Sequence, residues 1–161
     1  MKKRILFLVL ISAFAQHYAA FGQAYAFPVF PLITTSHFGF RRHPITGEGG
    51  FHDGVDLRAK GCEVRSVFNG LVSASGYHRY LGNFVSISKG ELKATYGHLS
   101  ASLVVPGSKV LAGEVIGMSG STGRTTAEHL HFSLSYRSRQ INPLKFLFFL
   151  QSSKDTKLIT P

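Results

Sequence analysis

From Ser36 to Ile141 the chain is written in short runs of alternating apolar and polar residues, closed by Gly-, Pro- and Asn-rich turn signals. Alternation with a period of two is the signature of a strand with one buried face. Asn83 to Ser88 follows it, as does Leu92 to Tyr96 after a turn at Lys89-Gly90. Val115 to Met118 is a shorter apolar strand. Val64 to Val72 is interrupted by Asn69-Gly70, a dipeptide that favours a hairpin turn. Leu130, Phe132 and Leu134 alternate with His131, Ser133 and Ser135, which predicts a half-buried strand carrying His129 and His131 together on its non-core face. The pattern predicts an all-β fold, mainly antiparallel sheet arranged as a sandwich or groove, in one compact domain spanning 36–150. One short helix closes it: Asn142 is a suitable N-cap and Pro143 suits the first helical position, opening Leu144 to Leu150.

The ends read differently. Lys2-Lys3-Arg4 followed by the uncharged apolar run Ile5 to Ala15 has the form of an export signal over residues 1–15. Ala13-Phe14-Ala15 offers a cleavage pattern, with Ala24-Tyr25-Ala26 as a later alternative ending at 26. The run is too short to span a bilayer of roughly 30 Å as a helix, so no stable membrane insertion is expected after cleavage. Residues 16–35 read as a connector and 151–161 as a flexible tail.

Composition sharpens this. The chain has 161 residues, 44% of them hydrophobic, enough for one real core. Its single cysteine, Cys62, allows no internal disulfide in an exported protein, so burial or a metal must hold the fold. Cys62 itself reads as a small buried hydrophobe. The net charge is +10, with Arg41, Arg42, Arg58, Lys60 and Arg65 gathered around residue 52. Such a balance favours an anionic partner. Export, and the absence of a basic stripe interleaved with aromatics, argue against nucleic acid and leave a membrane surface or an acidic cell-wall polymer.

The candidate chemistry is concentrated in histidines. His52 and Asp56 stand four residues apart, and His129 and His131 return far downstream on one strand face. Two imidazoles and a carboxylate suit one divalent metal with a fourth position left for water, the arrangement of a catalytic zinc. Spacing alone leaves His129 and His131 equivalent. His98, after the strand-like Leu92 to Tyr96, has the residue type for general acid/base work near neutral pH. His37 and His78 read as surface residues, and His17 falls in the signal or connector.

Five ordered blocks then resemble one family. Ser36 to Pro44 with Phe51-His52-Asp53-Gly54-Val55-Asp56, then Gly82-Asn83-Phe84-Val85, Tyr96-Gly97-His98-Leu99-Ser100, Gly117 to Gly123 leading into His129-Leu130-His131-Phe132, and Ile141-Asn142-Pro143-Leu144 are collinear with lysostaphin/LytM-type peptidoglycan endopeptidases, peptidase family M23. The resemblance covers roughly 28–147. It implies one zinc per chain held by His52, Asp56 and His131, with His98 and His129 as unligated catalytic histidines. It further implies hydrolysis of peptide cross-links of peptidoglycan, in the periplasm or the extracellular cell-wall space. The same family includes degenerate members that bind the wall and activate other hydrolases without cutting it, and these usually lack a ligand. Departures from the common pattern, Ala127-Glu128 before the histidine pair and Ser133 after Phe132, touch neither the implied ligands nor the catalytic pair.

Overall fold

The computed structural model describes residues 25–42, 47 and 49–149. The expected export signal over 1–15 and tail over 151–161 lie outside them, as do His17 and His43. Thirteen strands follow in order: β1 (Thr34–Ser36), β2 (Gly39–Arg42), β3 (Gly49–His52), β4 (Val55–Leu57), β5 (Glu63–Arg65), β6 (Gly70–His78) and β7 (Gly82–Lys89). After these come β8 (Leu92–Leu99), β9 (Ala101–Ser102), β10 (Lys109–Val110), β11 (Val115–Met118), β12 (Leu130–Tyr136) and β13 (Arg139–Ile141). A single helix over 143–149 closes the described chain, with Asn142 Oδ1 accepting from Leu144 N at 3.0 Å as its cap.

An eight-stranded sheet runs β1-β4-β12-β8-β7-β6-β10, and β13 pairs with the end of β12 on the edge that β8 leaves free. β5-β11-β9 form a second sheet and β2-β3 a separate hairpin; every pairing is antiparallel. The fold is therefore mostly antiparallel sheet with one short helix, as the alternation predicts. The core stripes fall where the period of two puts them. Leu130, Phe132 and Leu134 of β12 pack with Ala94 and Tyr96 of β8, Val85 and Ile87 of β7, and Val55 and Leu57 of β4. Tyr96 is fully buried and its hydroxyl accepts from Val67 N at 2.9 Å, tying the sheet to the loop beneath it.

Three details differ from the sequence pattern. Asn69-Gly70 makes no hairpin, because β5 pairs with β11 while β6 enters the main sheet. Asn69 instead turns its side chain onto Ala112 N at 2.7 Å, and a side chain at Gly70 would collide with Ile87 and Ser88. β12 is buried on both faces, Ser133 and Ser135 included, where the alternation predicts a half-buried strand. Finally, residues 25–33 of the expected connector contribute to the core. Val29 is buried, Ala26 N donates to Val67 O, and Arg65 N donates to Pro28 O.

Candidate metal centre

The site is assembled by sheet register. His131 in β12 lies opposite Asp56 in β4 on one side and Gly97 in β8 on the other. His52 ends β3, and the Asp53-Gly54 turn folds it back over Asp56. A side chain at Gly54 would fall 2.8 Å from two ring atoms of His131 and 2.7 Å from Phe132 O, so the imidazole fills the space that any larger residue would claim. Three donor atoms then converge. His52 Nε2 is 3.2 Å from Asp56 Oδ1 and 3.2 Å from His131 Nδ1, and His131 Nδ1 is 3.0 Å from Asp56 Oδ1. Zinc bonds of about 2.0–2.1 Å make the edge of a tetrahedron about 3.3 Å. The triangle is one face of that size, and its nitrogen, nitrogen, oxygen donor set suits zinc. His52, Asp56 and His131 form a group able to hold a metal ion.

Each imidazole of the triangle has its outer nitrogen directed. His52 Nδ1–H donates to the His37 carbonyl at 2.9 Å, which turns Nε2 inward. His131 Nε2 is buried without a well-aligned hydrogen bond, but faces Asp53 Oδ1 at 3.4 Å. Carboxylates and carbonyls behind ligand histidines are the usual means of fixing ring orientation. Burial alone would raise the Asp56 carboxyl, yet hydrogen bonds from His129, His131 and His52 hold it well below the usual carboxylate range. Burial would likewise lower His131, but Asp53 and Asp56 push it up to about 9. This spot is built to hold positive charge.

Two further imidazoles stand beside the triangle. The pairing of β7 with β8 skips a step: Asn83 lies opposite Leu99 and Val85 opposite Tyr96, so Gly97 and His98 together face Phe84. This bulge reverses the parity of the strand. Ala94 and Tyr96 point into the core before it and Leu99 after it, so His98, which regular alternation would bury behind Tyr96, is turned toward the site. His98 holds φ 60, a left-handed conformation uncommon outside glycine. Its Nδ1–H donates to Thr122 O at 2.8 Å. Thr122 is clamped in turn, its hydroxyl donating to Leu99 O at 2.7 Å and accepting from Asn83 N at 2.9 Å. Gly123, at φ 77, passes so close to Gly82 that no side chain would fit. His129 Nδ1–H donates to Ala127 O at 2.8 Å. The two rings are 4.7 Å apart at their centroids, and His129 Nε2 lies 3.4 Å from Asp56 Oδ1. Burial lowers His98 to about 4, so near neutral pH it is an uncharged imidazole with Nε2 free to accept a proton.

All five side chains line one open cavity of about 400 Å³, walled by Arg41 and Phe51 from the hairpin and by Tyr80, Arg124 and Thr125 from two loops. The structure therefore brings together every residue singled out from the sequence at positions 52, 56, 98, 129 and 131. His78, read as a surface residue, is exposed but also lines the cavity. Asp53 and Arg124 are given no site role by the sequence, although Asp53 stands beside His52, and Arg41 figures there only among the basic residues around position 52. The carbonyls of His37, Thr122 and Ala127 leave no trace in residue identity.

A compact antiparallel sheet presenting three residues able to hold a metal ion, with two further imidazoles beside them, is the type of site that suits a metal-dependent hydrolase. Comparison with known proteins makes this specific. The model of peptidase family M23 matches residues 50–143. ShyA of Vibrio cholerae, a peptidoglycan DD-endopeptidase, is 40% identical over 126 residues, which are 76% of this chain and 29% of ShyA. The glycyl-glycine endopeptidase ALE-1 of Staphylococcus capitis is 37% identical over 118 residues, 68% of this chain and 33% of ALE-1. A zinc-containing peptidase from Vibrio cholerae superposes with a TM-score of 0.67 at 36% identity, covering 74% of this chain and 39% of that structure. The chain belongs to peptidase family M23. It spans about a third or less of the length of these two curated relatives.

Proposed function

We propose that this protein is a zinc metallo-endopeptidase that hydrolyses peptide cross-links of bacterial peptidoglycan, with one zinc held by His52, Asp56 and His131. The observation that carries the reading is the triangle of 3.0–3.2 Å between the three donor atoms, with two outward-anchored imidazoles beside it in one cavity. Zinc in such a site supplies Lewis acidity, polarising a carbonyl oxygen and acidifying water. His98 and His129 supply the proton traffic. Each is anchored through Nδ1–H on a backbone carbonyl, which turns Nε2 toward the reacting groups. One takes the proton of the attacking water as the new C–O bond forms. The other, carrying a proton on Nε2, stabilises the developing oxyanion or delivers that proton to the leaving amine as the C–N bond breaks.

The basic surface suits an anionic wall polymer, and the leader-like residues 2–15 suit an exported enzyme acting in the periplasm or cell-wall space. Among the described residues no helix is long and apolar enough to cross a membrane. A non-cutting regulator would have no use for an intact triad with both flanking histidines. Digestion of purified peptidoglycan sacculi by the zinc-loaded protein, with products read by mass spectrometry, tests the reading: cross-linked dimers should fall to monomers, and a chelator should stop it. Unchanged dimers after prolonged digestion with fully loaded protein would refute it.

A further inference from the structure

The hairpin that supplies His52 also presents a cation to the cavity. Gly39 pairs with His52 and Arg41 with Gly50, while Phe40 pairs with Phe51. Alternation therefore puts Arg41 on the same face as His52, and the phenylalanine pair on the other. Gly50 opposite Arg41 has no side chain to cover it. Arg41 lines the cavity with its Nε buried and without a hydrogen-bond partner. Its Nη2 is 3.8 Å from Asp56 Oδ2, too long for a hydrogen bond. Asp56 is already held through its other oxygen by His52, His129 and His131, so Arg41 is not needed to fix it. The Arg41 side chain is nonetheless 27% exposed, so its guanidinium can meet an incoming acceptor that its own surroundings supply only at 3.8 Å. Asp53 faces His131, and Asp56 is engaged by histidines through Oδ1, which leaves Arg41 only the 3.8 Å approach of Asp56 Oδ2. A carboxylate on the substrate would supply the aligned acceptor that the lining does not.

We infer that Arg41 is a specificity-determining residue that pairs with a carboxylate carried by the substrate beside the bond to be cut. The inference rests on the peptidase reading above. Wall cross-links come in two chemical classes. In one, the amine side of the scissile amide is a diamino acid that keeps a carboxylate on the carbon next to the amide nitrogen. In the other, it is an uncharged glycine or a side-chain amine with no such group. A planar guanidinium matches a carboxylate with two parallel N–H donors, which an ammonium cannot. Because Arg41 abuts the carboxylate of Asp56, the anion it meets belongs to the reacting residue and not to a remote part of the strand. Arg124, lining the same cavity with its guanidinium 5.9 Å from the Tyr80 ring centroid, adds a second positive charge for the same class of substrate. The relatives ShyA and ALE-1 carry names of different bond specificities, and Arg41 places this chain on the side of the carboxylate-bearing cross-link.

The test uses zinc-loaded protein and two synthetic cross-link peptides identical except that this carboxylate is free or amidated. The wild type should prefer the free acid by about ten- to a hundredfold in kcat/KM, the scale of a charge-assisted hydrogen bond. In Arg41→Gln the preference should fall to within about threefold of unity, and Arg41→Lys should keep an intermediate preference. Zinc affinity, read by chelator competition, should separate this role from one in holding Asp56. Equal cutting of both peptides by the wild type would overturn the inference and leave the peptidase reading standing. So would an Arg41→Gln variant that loses activity on both peptides by the same factor, or one that loses zinc. If the wild type cuts neither peptide, the peptidase reading fails and this inference with it.

Discussion

Replacing His98 by alanine and by glycine separates what this residue does for catalysis from what it costs the fold. Both variants lose the imidazole and its hydrogen bond to Thr122 O, so those losses cancel between them. They differ at the backbone. Position 98 holds φ 60, where an L-residue with a Cβ pays about 1–2 kcal/mol and glycine pays almost nothing. Against this, glycine gives the unfolded chain more freedom, worth about 0.4–1 kcal/mol. The balance leaves His98→Gly more stable than His98→Ala by about 0.5–1 kcal/mol, the reverse of the usual order. For a chain of this length that is a gap of about 1–4 °C in Tm. Paired thermal melts of the two metal-free variants read it directly. Both should also lose about 10²- to 10⁴-fold in rate on a cross-link peptide while retaining zinc, the range of an acid/base or oxyanion group. An alanine variant that melts at or above the glycine one would refute the bulge reasoning; either variant cutting at the wild-type rate would refute the catalytic role.

Asp53→Asn weakens the carboxylate behind His131 and should lower zinc affinity by about 10- to 100-fold; unchanged affinity in chelator competition would show that Asp53 does not orient the ring. Gly54→Ala drives a methyl group to within 2.8 Å of the His131 ring, so zinc affinity should fall at least about tenfold with an overpacking penalty of about 1–3 kcal/mol. A variant with native zinc affinity and native Tm would contradict that geometry. Tyr96→Phe leaves the Val67 N–H, now 2.9 Å from the hydroxyl, buried without an acceptor. Its denaturation midpoint should drop by the equivalent of about 1–3 kcal/mol with an unchanged m-value, and an unmoved midpoint would count against the bond.

The stripe Leu130, Phe132, Leu134 was legible because β12 keeps its period of two without interruption, and the same regularity put His129 and His131 on one face. The hairpin around Lys89-Gly90 was legible for the same reason. Asn69-Gly70 misled because the dipeptide also serves where a side-chain cap and close packing are needed, and nothing local distinguishes the uses. The position of His98 was only half legible. Its residue type pointed to the site, but the bulge that turns it there depends on register against β7, which is a property of two strands and not of one. Arg41 is legible only as one of several basic residues near position 52, because its place on the face of His52 follows from the β2–β3 pairing. Which of His129 and His131 joins the triangle is likewise a matter of register: Asp56 lies opposite residue 131, and spacing could not supply that.

The division of five side chains into three ligands and two free imidazoles is tested most directly by anomalous diffraction at the zinc edge, from crystals grown with one equivalent of zinc. The predicted result is one strong peak about 2.0–2.2 Å from His52 Nε2, Asp56 Oδ1 and His131 Nδ1, with His98 and His129 outside bonding distance. A peak bound through His129 in place of His131, or one away from this triangle, would contradict it.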